Sequence, residues 1–338
     1  MTQLFNAAVG EANRYRILFW SLLIITMLVF PLIVGRTYYQ HMAILVLIWV
    51  VLGTSWNLLG GFTGQVSFGH AAFFGTGAYV TAMIAHHWKL SMFSGFVVAL
   101  PVVWAIALFI GWVCFRLRGP YFALSVLASS EILRIVATNW DSVTGGGEGM
   151  LVIPAFASKL IYYYIILGLA LAAALVTMLL MKSRWGYYFL AIREDQEAAE
   201  AMGVDTQKYK IISLLISSTF AGLAGAFYMN YMGYIEPHIV FNIPDISIMM
   251  ILVVMLGGVA TIEGPIIGAG LYIFLSELFR RFIGDGHLIV FGTLVIVIVI
   301  FTPNGLMGAF DSLGAWLKRR ATQGRALEEQ RSIEGDAS

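Results

Sequence analysis

The sequence predicts an all-α integral membrane protein, a polytopic helical bundle of about ten membrane segments. Three observations lead there. The chain is 59% hydrophobic and 12% charged, whereas soluble domains are about 25% charged. The runs Ile17–Val34, Ser94–Phe115, Ile161–Met181 and Ile211–Met229 carry few or no charges over the ~18 or more residues that a bilayer-crossing helix needs. The 35 glycines fit the same class, because small residues let membrane helices approach closely.

Taken in order, the segments fall at 17–34, 41–59, 66–85, 94–115, 120–140, 161–181, 211–229, 245–260, 264–279 and 288–302. The third, fifth, eighth and ninth are short, Gly-rich or polar, and are expected to be broken or re-entrant. Arg14 and Arg16 precede the first run as they would in a signal peptide. That run is long, however, and no small-x-small site follows it before Arg36, so it is expected to remain as the first helix. With the N-terminus inside, the inner loops hold 14 Lys and Arg residues and the outer loops 5, a positive-inside bias. Arg280 and Arg281 stand against that bias, which leaves the parity of the last three segments open. The reading gives a transmembrane domain over 1–316 with both termini cytoplasmic. A charged tail over 317–338 is expected to be disordered.

A net charge of +1 gives nucleic acid nothing to bind. The single cysteine, Cys114, lies in an apolar run and excludes an intrachain disulfide or a Cys-based metal cluster. A pattern recurs along the chain. Leu58-Leu59-Gly60-Gly61 precedes a Gly-rich stretch, and so does Met255-Leu256-Gly257-Gly258. Internal repeats built from broken helices are common in transporters, although Gly-rich helix pairs also occur in any packed bundle.

Residues 182–210 are the hydrophilic exception, with ten of the chain's 39 Asp, Glu, Lys and Arg residues. Glu197-Ala198-Ala199-Glu200-Ala201-Met202 is strongly helix-forming. Gly203 can end the helix in the left-handed conformation. Glu194, Asp195 and Glu197 suit a helix start. Arg193 and Glu197 are spaced to pair, and Ile192, Ala199 and Met202 are expected on one apolar face. Such a helix can seat in a groove of a soluble partner; a solvated loop is the plainer alternative.

At these residues the chain resembles a family. Glu197-Ala198-Ala199 followed by Gly203 matches the EAA-x3-G motif of ATP-binding-cassette importer permeases. Further runs resemble the LivM-type permeases for branched-chain amino acids: Asn57–Gly61 with Gly64, Ser67–Phe74 with Gly77-Ala78-Tyr79, and Arg118–Ala123 with Glu131–Arg134 and Thr144-Gly145-Gly146. Ala191–Asp195, and Leu256-Gly257-Gly258 with Gly264-Pro265, complete the set. EAA-x3-G alone is weak; this many runs in order, across about residues 45–305, are specific. The resemblance implies a multi-pass protein of a bacterial inner membrane. It also implies a second related permease, two cytoplasmic ATP-binding subunits and an extracytoplasmic solute-binding protein as partners. Arg193, Asp195, Glu197, Ala198, Ala199 and Gly203 would then form the helix that couples to the ATPases. The chain has no G-x-x-x-x-G-K-[ST] loop, so ATP and Mg would be handled by the partners, and no cofactor or metal is expected here.

Polar residues inside the apolar segments are candidates for the translocation path, since ionisable groups are costly in a bilayer. Glu131 and Arg134 are spaced i,i+3 and can offset each other. Asn57, Gln65, Ser67 and Thr76 cluster at the first Gly-Gly break, with His70 among small residues beside them. Unwound backbone there could meet the charged ends of an amino acid, or the group could serve as polar glue between helices. The expected function is import of leucine, isoleucine, valine or similar small amino acids. Urea, short amides and small carboxylates are alternative cargoes. An ion-coupled transporter or channel would usually show more intramembrane carboxylates. Without HExxH, G-x-S-x-G or paired catalytic carboxylates, the chain does not read as an enzyme.

Overall fold

The computed structural model describes residues 25–88, 92–283, 292–293 and 305–307. It is an all-α bundle with one small antiparallel strand pair. Residues 25–33 are helical. The main helices follow as α1 (Thr37–Trp56), α2 (His70–Trp88), α3 (Met92–Cys114), α4 (Pro120–Asn139), α5 (Lys159–Lys182), α6 (Arg184–Glu194), α7 (Gln196–Ala201), α8 (Thr206–Met232), α9 (Met249–Gly257) and α10 (Gly264–Ile283). Strands β1 (Met150–Leu151) and β2 (Tyr234–Ile235) pair Met150 with Ile235 and Leu151 with Tyr234. They tie the loop after α4 to the end of α8.

Among the described residues, six helical stretches are long and apolar enough to cross a bilayer: Thr37–Phe62, Phe93–Cys114, Pro120–Asn139, Lys159–Lys182, Thr206–Met232 and Pro237–Gly257. α2 and α10 contain 19 and 20 residues, about 30 Å of helix each, and are richer in small and polar residues. The tenth expected segment and the tail over 317–338 lie outside the described residues, apart from 292–293 and 305–307 within 288–316. Two expectations of breakage are corrected. The fifth and ninth segments are continuous 20-residue helices. Pro120 stands in the first turn of α4, where its missing N–H costs nothing.

The third and eighth segments are interrupted. α1 widens into a π-type turn at Asn57–Phe62, the chain runs non-helically to Gly69, and α2 begins at His70. The eighth segment starts as a wide turn at Ile243–Ile248 and becomes α9, only 9 residues long. It ends at Gly258, and α10 resumes at Gly264.

The core is built around α8, which lies against α1, α2 and α3. Close approach of α2 and α8 depends on glycine. A Cβ at Gly77 would stand 2.0 Å from the Gly222 carbonyl oxygen, and one at Gly225 would stand 1.9 Å from that of Phe74. Hydrocarbon solvent supplies little force to bring apolar faces together, so backbone-to-backbone van der Waals contact carries more of the association. Phe73, Phe74, Leu214, Phe227 and Met229 fill the space around this contact and are buried.

The two helix breaks face each other, and Asn57 joins them. Its Nδ2 donates to the Thr261 carbonyl at 2.8 Å, and its Oδ1 accepts from the Ala260 N–H at 2.8 Å. Ala260 has φ +57°, the one non-glycine residue in the left-handed region among the described residues. That conformation costs roughly 1–2 kcal/mol, and the Asn57 side chain holds it in place. Thr261 caps α10 in turn, its Oγ1 accepting from the Gly264 N–H at 3.0 Å.

Two outcomes are expected of stability measurements in detergent. Asn57→Ala should destabilise the fold by about 1–3 kcal/mol, the usual cost of orphaning a buried backbone group. Asn57→Asp should be no better, because a carboxylate would then oppose the Thr261 carbonyl; an unchanged melting temperature in both would remove the role. Gly225→Ala should lower the yield of folded protein far more than Gly270→Ala, since a Cβ at Gly270 meets nothing within 4 Å.

Candidate functional site

The 182–210 segment folds as two short helices with a sharp bend. α5 stops at Lys182, and Ser183 caps α6 by accepting from the Trp185 N–H at 3.2 Å. Asp195 ends α6 and begins α7. Its Oδ1 accepts from the Glu197 and Ala198 N–H groups at 2.9 and 3.0 Å, a standard N-cap. Gly203, at φ +86°, reverses the chain at the other end. The Val204 N–H reaches the Ala199 carbonyl and the Gly203 N–H that of Glu200, both at 3.0 Å. This is the Schellman arrangement that satisfies the last carbonyls of a helix.

Two details of the sequence reading are corrected. Arg193 and Glu197 do not pair, because the bend at Asp195 places them on different helices. Glu197 instead accepts from Arg118, in the turn between α3 and α4, at 2.7 Å. Met202 does not share the buried face of Ile192 and Ala199; it is 85% exposed while they are buried. The helix therefore presents Glu197, Ala198 and Met202 outward and seats Ala199 inward.

Behind this surface lies a polar cluster that sequence spacing did not reveal. The Glu200 carboxylate accepts from Thr206 Oγ1 at 2.6 Å and Gln196 Nε2 at 2.8 Å, with Arg118 Nη2 at 3.5 Å. Lys210, buried at the start of α8, donates its Nζ to Gln196 Oε1 at 2.5 Å. Hydrogen bonds from Gln196 and then Thr206 hold the Glu200 carboxyl below the usual carboxylate range. Its contribution is thus complete at neutral pH and lost as pH falls through the lowered value. Arg118, Thr206, Gln196 and Lys210 are polar residues within or beside the hydrophilic segment, and only their tertiary neighbours single them out.

α6 connects this surface to the helix breaks. Phe189 is fully buried and clusters with Leu58 and Phe62 of the first break, and Ala260 and Ile262 of the second break pack against that same cluster. Gly64, just past the first break, lies so near α6 that its Cβ would stand 3.0 Å from the Arg193 Cα. Motion of α6 therefore meets the first break directly and reaches the second through the cluster they share.

Of the polar residues at the first break, Ser67 and His70 contact each other, whereas Asn57 turns to the second break and Thr76 to its own helix. Asn57, Ser67, His70 and Thr76 are buried, and Gln65 is half-buried. His70 bridges three elements, with Nδ1 3.0 Å from Ser67 Oγ and Nε2 2.8 Å from Ser217 Oγ on α8. Ser217 and Ser55 each donate to the other's carbonyl at 2.7 Å. Trp56 Nε1 donates to the Ser67 carbonyl at 2.8 Å. Thr76 Oγ1 turns back to the Ala72 carbonyl at 2.7 Å. Ser55, Thr63, Ser213 and Ser217 belong to this network and look unremarkable in sequence, since serine and threonine are frequent in membrane helices.

Glu131 and Arg134 form the pair that their spacing allows. Arg134 Nε donates to both carboxylate oxygens at 3.0 Å, and Nη2 also donates to Oε1. Arg134 Nη1 faces the His238 ring, 3.1 Å from Nδ1. His238 belongs to the short helical turn Pro237–Val240 that follows β2, 104 residues away in sequence. The structure does not bring Glu131 and Arg134 to the helix breaks; they lie in α4, while Asn57, Ser67 and His70 gather where α1, α2 and α8 meet. Among the described residues, no group of three or more His, Cys, Asp and Glu side chains could hold a metal.

Comparison with known proteins agrees with this architecture. The LivM high-affinity branched-chain amino acid transport system permease protein of Escherichia coli is 27% identical over 86% of this chain and 74% of its own length. Its Salmonella typhimurium counterpart is 27% identical over 88% and 76%. The LivH permease protein of Escherichia coli is 24% identical over 77% of this chain and 91% of its own. Residues 38–300 match the model of the branched-chain amino acid transport system permease component. The chain is a multi-pass membrane protein that belongs to that permease family.

Proposed function

We propose that this chain is the membrane-spanning permease subunit of an ATP-driven importer for leucine, isoleucine and valine. It works beside a second related permease, two cytoplasmic ATP-binding subunits that hydrolyse ATP with Mg, and an extracytoplasmic solute-binding protein. It sits in the inner membrane with both termini in the cytoplasm. Family membership and the similarity to the LivM and LivH branched-chain amino acid permeases support the cargo and the class.

The observation that carries the mechanism is the cluster that Phe189 forms with Leu58 and Phe62 of the first break, against which Ala260 and Ile262 of the second also pack. An amino acid is zwitterionic and crosses hydrocarbon slowly, because both charges must be desolvated. Concentrating it requires a polar path and an external energy source. In this reading the ATP-binding subunits grip Glu197, Ala198, Met202 and Gly203 on the exposed side of α7. Asp195 and the Gly203 turn keep α7 rigid, so a displacement passes to α6 instead of dissipating in a frayed helix. Arg193 presses on Gly64, and Phe189 presses on Leu58 and Phe62, whose cluster Ala260 and Ile262 also abut. Because Asn57 clasps the breaks, displacement of one carries the other. Asn57, Gln65, Ser67, His70 and Thr76 shape the gate end of the path, and Glu131 and Arg134 line it.

Uptake of labelled leucine into vesicles carrying the assembled complex is expected to require ATP. Uptake by vesicles holding this chain alone would overturn the reading. Glu197→Arg and Gly203→Pro should each leave membrane insertion and ATP hydrolysis in place. Each should cut uptake per ATP about tenfold or more, the equivalent of ~1.4 kcal/mol of coupling. Normal coupling in both would take the motor contact away from α7.

A further inference from the structure

The face of α4 that carries Glu131 and Arg134 is open. Tyr121, Leu124, Ala128, Ile132 and Ile135 form an exposed stripe along it. The Glu131 and Arg134 side chains stand at its edge, 38% and 22% exposed. Glu131 is the twelfth of the 20 residues of α4, about 16 Å from its start. A charged pair at that depth facing lipid is costly, so intramembrane ion pairs face protein or a water-filled cavity. The pair therefore does not face bulk hydrocarbon.

The pair is also incompletely used. The guanidinium meets Glu131 through Nε and Nη2 and meets His238 through Nη1. Nη1 and Nη2 each carry two N–H groups, and among the described residues Nη1 meets only the His238 ring and Nη2 only Glu131, which leaves each one N–H for an anion. Glu131 Oε2 takes one of the three bonds and keeps acceptor capacity for a cation. The two charges are adjacent, opposite in sign and reachable from one side, which is the arrangement complementary to an α-amino acid's carboxylate and ammonium groups.

We propose that Glu131, Arg134 and His238 form a zwitterion-binding site midway along the path. Arg134 takes the α-carboxylate, Glu131 takes the α-ammonium, and His238 fixes the guanidinium from the far side. The inference rests on the importer reading above and adds the residues that meet the solute. Between solutes the two side chains neutralise each other, so the resting site carries no net charge across the bilayer. A solute with both charges can replace that internal pair without leaving either group alone, whereas a solute with one charge strands the other.

The test uses the complete complex with its binding protein in vesicles, with leucine as probe and Glu131→Gln, Arg134→Gln, Arg134→Lys and the Glu131→Gln/Arg134→Gln double variant. Each single neutral variant should lower kcat for uptake by about tenfold or more, the scale of one lost charge-assisted hydrogen bond. KM for the loaded binding protein should stay within about twofold, because docking occurs elsewhere. Arg134→Lys should assemble normally and still lose kcat, since an ammonium cannot reproduce the planar fork. The double variant should regain the yield and thermal stability lost in the singles, because neither charge is stranded, yet remain transport-deficient. If the double variant recovers uptake along with stability, the pair is structural and the proposal fails. It fails equally if the singles keep wild-type kcat. A wild-type complex that hydrolyses ATP without importing leucine overturns the importer reading itself, a result distinguishable from these because no variant enters into it.

Discussion

A helix that ends inside a packed membrane protein leaves N–H and C=O groups that no water can satisfy, and each must find a partner within the chain. Asn57 meets that demand for two helices at once. One amide both donates and accepts, so a single side chain serves the Thr261 carbonyl and the Ala260 N–H. No apolar residue could do this, and a carboxylate could serve only one side. The break in α1 and the break between α9 and α10 therefore depend on each other. The rest of the architecture inherits this constraint: Phe189 clusters with Leu58 and Phe62 of the first break and so fastens the 182–210 segment beside the junction.

The buried serine, threonine and histidine groups around the breaks obey the same rule. Ser55, Ser67, His70 and Ser217 hydrogen-bond among themselves and to backbone carbonyls. They bind α1, α2 and α8 into one unit, next to the glycine contact that brings α2 against α8. A rigid block with hinged short arms is the mechanical requirement for converting a push at the surface into a change at depth. Rigidity alone would dissipate nothing and move nothing, and a flexible linkage would absorb the displacement. Here the segment that must be gripped is capped at both ends, and the breaks it presses toward are joined by Asn57.

The hydrophilic surface follows different physics. Arg118 and Glu197 are exposed, and such a pair contributes at most about 1 kcal/mol in water. Its value lies in geometry, since it fixes the α3–α4 turn against α7. Glu200 is more closely held, with Thr206 and Gln196 both donating to it. Lys210 would be costly as an isolated buried ammonium, and Gln196 gives it an acceptor while Glu200 stands close by with opposite charge. The 182–210 segment is therefore fastened to α8 and to the α3–α4 turn as well as to α6.

Much of this was legible in the amino-acid order. Uninterrupted apolar runs dictate helices, because hydrocarbon tolerates no unpaired backbone, and so the fold class and most segment positions could be read directly. Local rules gave Gly203 as a helix cap and set Asp195 near a helix start, since both act on neighbours within a few residues; the structure makes Asp195 the N-cap itself. The Gly-Gly pairs marked where helices stop. What tertiary structure alone decided was which distant groups meet. Asn57 and Thr261 are 204 residues apart, Arg118 and Glu197 are 79, and Arg134 and His238 are 104. The expected Arg193–Glu197 pair gave way to Arg118 because a bend at one capping residue changed which faces align. Local sequence carries the cost of leaving a polar group unpaired, but the identity of its partner is settled by packing, which is a property of the whole chain.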